Sequence, residues 1–274
     1  MTGSRTLQLG CEFVHVAEVE TAMVLQVEPD QGHGGPAVVV RQGWSGEPDL
    51  PSHTYVDAFG NSCRRLTLPV GRSTLRFEAT VTVPDAPEDV DLDAAEIPAV
   101  DLPDDVLAFT LPSRYVVPDL LGDEAWQLFG SVPPGYRRVQ AICDHVNGSL
   151  SFAYGSTTST WDAADVRASG IGVCRDFTHL AVTYCRALNI PARYVFGYLP
   201  DVEVAPMPDP MDFAAWMEVY LGGRWWTFDP RNNTPRKGRV LVGRGRDAVD
   251  VAMVTTYGGP LLESMTVEAS EVTA

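Results

Sequence analysis

The chain has 274 residues, 45% of them hydrophobic, which is enough for a packed core and two domains. A formal net charge of −16 repels nucleic acid and anionic membranes unless a local basic patch intervenes, so neither is expected as a partner. The five cysteines have no metal-ligand spacing, the first residues lack a hydrophobic signal core, and no segment reaches membrane-spanning length, so reduced thiols and a cytoplasmic location are expected.

Residues 5–83 read as short antiparallel strands in a sheet or sandwich. β-Branched and aromatic residues concentrate in 11–25, 37–40, 52–57, 63–70 and 74–83, and Gly32-His33-Gly34-Gly35-Pro36 and Asp57-Ala58-Phe59-Gly60-Asn61 are turn signals. From Pro84 to Glu124 the chain is dense in Pro and Asp and reads as a solvated acidic linker. The boundaries drawn are therefore a β-rich N-terminal domain over 1–83, a linker over 84–124 and a second domain over 125–274. In the second domain, helices are predicted for a short stretch through Phe129, for 136–147 and for 161–168.

Gly172-Val173-Cys174-Arg175-Asp176-Phe177-Thr178-His179-Leu180 is the most informative segment. A glycine-bearing turn delivers Cys174 to the first turn of a helix, because Phe177, Leu180, Ala181, Tyr184, Ala187 and Leu188 recur at helical spacing before Asn189-Ile190-Pro191 closes it. A thiol there sits at the positive end of the helix dipole, which favours the thiolate, and the free N–H groups suit a developing oxyanion. The bland use of the same residue is a buried structural cysteine. Downstream, Asp212 to Tyr220, Gly222-Gly223 and Arg224 to Asp229 read as strand, tight turn and strand.

This order resembles the transglutaminase-like superfamily. The segments that carry the resemblance are Gly172 to Leu180, Ile190 to Tyr198, Ala215-Trp216-x-Glu218, Phe228-Asp229-Pro230-Arg231-Asn232-Asn233, Gly245 to Ala252, and upstream Leu111 to Tyr115. The resemblance implies an α+β fold, with the Cys-bearing helix packed on an antiparallel sheet and a β-rich domain before it. It also implies a Cys-His-Asp triad that attacks an amide or ester carbonyl of a peptide, protein or small amide through a thioester, with no metal or organic cofactor.

Cys174 matches the nucleophile and Asp229 the residue that orients the histidine. The histidine position itself is Ala214, which can neither take the thiol proton nor protonate a leaving amine. Of the five histidines, His15, His33 and His53 lie far from the motif, His145 reads as a surface or satisfied residue, and His179 falls on another face of the Cys174 helix as a core histidine. Alternation along the strand puts Asp212, Ala214, Trp216 and Glu218 on one face. Asp212 is then the candidate surrogate base and Trp216 a candidate cleft wall. The basic run Arg231, Arg236, Lys237, Arg239, Arg244 and Arg246 suits either an anionic ligand or, more simply, a solvated loop balancing an acidic protein. Three readings stay open: an enzyme with a non-standard base or a substrate-assisted step, a binding protein without turnover, and an active parent silenced at position 214.

Overall fold

A computed structural model describes residues 3–32, 35–207 and 209–272; His33 lies outside the described residues. The N-terminal region contributes strands β1 (Ser4–Ala17), β2 (Thr21–Leu25), β3 (Val38–Glu47), β4 (Ser52–Val56), β5 (Ser62–Leu68) and β6 (Gly71–Pro84). In β6 the alternation is nearly complete: Ser73, Leu75, Phe77, Ala79, Val81 and Val83 are buried and the residues between them are not, the period of a strand with one face on a core. The predicted 11–25 strand is two strands, broken at Glu18-Val19-Glu20, where the Thr21 hydroxyl donates to the Val19 carbonyl at 2.9 Å.

Two strands from the far end of the chain complete this region. β13 (Val254–Tyr257) pairs with β2, and β14 (Leu261–Glu271) pairs with β1 from Leu7↔Glu271 to Val16↔Leu261. The resulting antiparallel sheets have the orders β14-β1-β6-β3 and β13-β2-β5-β4. The sequence boundary therefore places 254–271 with the wrong neighbours, because edge pairing follows backbone complementarity rather than proximity along the chain.

The 84–124 segment also differs from a solvated linker. Ala94, Leu102, Val106 and Val116 are buried, and the Glu96 carboxylate accepts from the Gly135 N–H at 2.9 Å and from Arg138 at 3.0 Å. Helix α1 (Pro118–Phe129) begins inside it, with Pro118 in the first turn where its missing N–H costs nothing. Helices α2 (Tyr136–Ser149), α3 (Ala163–Ser169) and α4 (Cys174–Ala187) follow. Asp162 caps α3 by accepting from the Ala164 and Asp165 N–H groups. A short parallel pair, β7 (Ser151–Phe152) with β8 (Ile171–Gly172), sets Phe152 beside the turn that enters α4.

The second core is built on an antiparallel sheet of β9 (Ala192–Tyr198), β10 (Ala214–Leu221), β11 (Arg224–Phe228) and β12 (Val240–Gly245), in the order β11-β10-β9-β12. The predicted hairpin is present: Leu221 pairs with Arg224, and Gly222 and Gly223 adopt φ of 59° and 88°, the doubly left-handed turn that suits two-residue hairpins. Helix α4 is buried from Asp176 to Arg186 and packs Phe177, Leu180, Ala181 and Tyr184 with Met217, Val219 and Leu221 of β10. The fold is α+β with a Cys-bearing helix on an antiparallel sheet and a β-rich N-terminal region. Among the described residues, no helix is long and apolar enough to cross a membrane.

Arg186 shows how the helix is tied in. Its side chain is 2% exposed and pairs with no carboxylate among the described residues, but it donates to the carbonyls of Ala192 at 2.9 Å, Leu111 at 2.8 Å and Arg246 at 2.6 Å. Burial lowers its pKa to about 10. Arg186→Met leaves those carbonyls without donors, so a loss of roughly 3 kcal/mol is expected in urea unfolding. A loss under about 1 kcal/mol means that water replaces the guanidinium.

Candidate active site

Cys174 is the first residue of α4. The turn before it needs Gly172, because a Cβ there would meet the Asp176 Cβ at 2.9 Å. The Asp176 carboxylate, fully buried, accepts from the Val173 N–H at 2.9 Å and from the Thr157 hydroxyl at 2.6 Å, and it pairs with Arg175 at 2.9 Å. One carboxylate thus caps the helix that presents the thiol and fastens the 156–160 loop beside it. The Cys174 Sγ donates to the Phe213 carbonyl at 3.8 Å, at the start of β10.

The sulfur faces a pocket of about 270 Å³. Its apolar wall includes Phe152, Tyr154, Leu199, Met211 and Phe213; its polar lining includes Asp212, Arg231, Asn232 and Arg236; and Ala214 lies on its margin. The pocket therefore brings together three of the five sequence candidates, Cys174, Ala214 and Asp212, while Asp229 is not in its lining. It also omits Trp216, which is 3% exposed and packs with Val195 and Leu241. Trp216 is not a cleft wall: its ring stacks under the Arg239 guanidinium at 4.9 Å instead.

Asp229 follows the last residue of β11 and is buried next to this pocket. Its Oδ1 accepts from the backbone N–H groups of Arg231 at 3.0 Å and Asn232 at 2.8 Å, and its Oδ2 accepts from the Asn232 side chain at 2.7 Å and Arg239 at 2.6 Å. Burial by itself raises a carboxyl, but Arg239 and Asn232 outweigh it and hold Asp229 below the usual carboxylate range. The carboxylate that would orient an imidazole is already occupied by an amide and a guanidinium.

Two expectations about acid–base chemistry change. The helix-terminal thiol is not depressed: burial, and next the negative charge of Asp212, push Cys174 up to about 11. Asp212 lies before β10 rather than on its face, and its Oδ1 accepts from the following Phe213 N–H at 2.7 Å. Burial raises the Asp212 carboxyl. His179 is the core histidine expected, 1% exposed, stacked on Tyr115 and tilted against Tyr194.

The basic run is also not a solvated loop. Arg236 and Arg239 are buried, Arg239 bridges Asp229 and Glu88, Lys237 pairs with Asp85 and Glu203, and Arg244 pairs with Glu218. Of that run, only Arg231 and Arg236 reach the pocket. Phe152 and Tyr154 were missed as pocket residues. Their signal was an aromatic pair just before a polar loop, which carries no information about which helix the loop returns to.

Residues 125–230 match the family model described as the transglutaminase-like superfamily. An uncharacterised protein of Mycobacterium leprae is 34% identical over 119 residues, 42% of this chain and 42% of that protein. An uncharacterised protein of Mycobacterium tuberculosis is 34% identical over 120 residues, 40% of this chain and 38% of the relative. The match thus spans less than half the length of these curated relatives. The crystal structure of a candidate cysteine protease from Cytophaga hutchinsonii is similar over the whole fold, with a TM-score of 0.90 and 29% identity, covering 100% of this chain and 92% of that one. With Cys174 heading α4 and Asp229 following β11 inside the matched segment, residues 125–230 form a core of the transglutaminase-like superfamily.

Proposed function

We propose that the Cys174 pocket binds a peptide or small amide and that the protein, left to its own residues, does not turn it over at neutral pH. The observation that carries this reading is the state of the three triad positions. The thiol lies high, at about 11, position 214 carries a methyl group, and both oxygens of Asp229 are engaged. A thiol raised by burial above its ordinary value stays protonated at pH 7, and position 214 supplies no base to take the proton. The pocket, its apolar wall and the helix-terminal N–H groups survive as a cradle for an acyl group.

Asp212 supports a second reading, cysteine-dependent hydrolysis or acyl transfer with a carboxylate as the base, because its carboxyl is raised and shares the pocket with the thiol. The two readings predict opposite effects of Asp212→Asn on the iodoacetamide alkylation of Cys174. If Asp212 only repels the thiolate, the variant labels several-fold faster at pH 9, and the wild-type rate rises towards a midpoint near 11. If Asp212 draws the proton away, the variant labels more slowly, and a wild-type midpoint at or below about 8.5 overturns the binding-only reading. Protection of Cys174 by millimolar N-acetylglycinamide is the matching test of occupancy.

A further inference from the structure

Arg231 is a cation in this pocket without an acidic partner. Among the described residues no carboxylate lies within ion-pair distance of its guanidinium, whereas Arg236 pairs with Asp201 at 3.4 Å and Arg239 with Asp229 at 2.6 Å. Its partners are neutral: Nη1 donates to Asn232 Oδ1 at 2.9 Å, Nη2 meets the Met207 sulfur, and the guanidinium lies over the Phe152 ring at 4.3 Å. The backbone beneath it is clamped. The Arg231 N–H donates to Asp229 Oδ1 at 3.0 Å, and the Asn147 amide donates to the Pro230 and Arg231 carbonyls at 3.1 Å and 2.8 Å. A guanidinium pre-oriented by packing rather than by a counter-ion, in a chain of net charge −16, is suited to take its counter-ion from a ligand.

We propose that Arg231 reads a carboxylate on the ligand of the Cys174 pocket, so that the preferred occupant is an amide carrying a single carboxylate, its acyl carbon at the sulfur and its negative charge on the guanidinium. This rests on the occupancy of the pocket by an amide. The other acidic groups in the lining limit the charge tolerated. Asp201 is neutralised by Arg236, but Asp209 is exposed at the rim and Asp212 lies beside the sulfur, so a second negative charge on the ligand meets repulsion.

Iodoacetate and iodoacetamide test this, since they deliver the same carbon to the same sulfur and differ in one negative charge. The readout is the ratio of their alkylation rates at Cys174 at pH 9.5, divided by the ratio for the urea-unfolded protein. That quotient cancels any effect of Arg231 on the thiolate itself. A quotient of about five or more is expected, falling to about one in Arg231→Gln and persisting in Arg231→Lys, the size of effect a single nearby cation has at a partly solvated site. A quotient at or below one in the wild type, or one that Arg231→Gln leaves unchanged, overturns the proposal while the pocket reading stands. Failure of iodoacetamide to label folded Cys174 at all overturns both.

Discussion

Ala214→His should speed iodoacetamide alkylation of Cys174 at pH 7 by ten- to a thousand-fold. Cys174 and Ala214 both line the pocket of about 270 Å³, which gives a longer side chain at 214 a space to enter, although the methyl group also packs on Trp216 and Leu241. An imidazolium beside a thiolate lowers the thiol by about one to three units, and each unit multiplies the thiolate population at pH 7 by ten. The starting point of about 11 leaves that whole range open. The gain should fall short of a fully organised triad, because Asp229 Oδ2 already accepts from Asn232 at 2.7 Å and from Arg239 at 2.6 Å and would have to be shared with the new ring. Ala214→Phe, which fills the same margin without a base, should give no acceleration. Equal rates for the histidine and phenylalanine variants would show that side chains at 214 do not reach the sulfur.

Stability should begin to fall with acid above the range in which Asp229 and Glu218 protonate, and His179 should carry about one proton of that dependence. The Ala248 N–H donates to His179 Nε2 at 3.2 Å, so that nitrogen must keep its lone pair, and the ring stacks on Tyr115 and tilts against Tyr194, each centroid 5.0 Å away. Burial drives its pKa from 6.5 to about 3. A histidine depressed in the fold contributes its full stability above the unfolded value of 6.5 and loses it as pH falls towards 3, because the unfolded chain takes the proton first. The slope is ~1.4 kcal/mol per pH unit, so ~2 kcal/mol is gone by pH 5. His15 and His145 are also lowered by burial and add to the slope, whereas Asp229 and Glu218, held below the carboxylate range, act only at lower pH. His179→Gln keeps an acceptor for Ala248 but cannot titrate. Urea midpoints between pH 4.5 and 6.5 should therefore show a slope smaller by about one proton, and parallel slopes would place the titration elsewhere.

The parts of the fold written in local pattern were legible before any coordinates. The Gly222-Gly223 hairpin and the helix after Cys174 each depend on residues within a dozen positions of one another, and each appears at its expected place, whereas strand ends such as 17–21 and 212–214 shifted. What the sequence could not reveal depends on distant partners. Glu88 looks like one more solvated acid until Arg239 is brought to it, and β14 looks like a tail until β1 offers an edge. The site divides in the same way. The Cys174, Ala214 and Asp229 positions followed from ordered motifs, but the height of the Cys174 thiol did not, since the helix end that favours a thiolate is a local feature and the burial that opposes it is not. Trp216 was misplaced for a related reason: alternation gave its face correctly, but not that Arg239 would cover that face.

The return of β13 and β14 to the N-terminal sheets has a consequence for biosynthesis. A ribosome releases β1 and β2 well before the strands that occupy their outer edges, which lie at residues 254–271. Until residues 254–271 emerge, those edges are bare hydrogen-bonding rows, open to a neighbouring nascent chain on the same message. The yield of soluble protein is therefore expected to depend on the 254–271 ladder, although that ladder contributes no side chain to the pocket at Cys174.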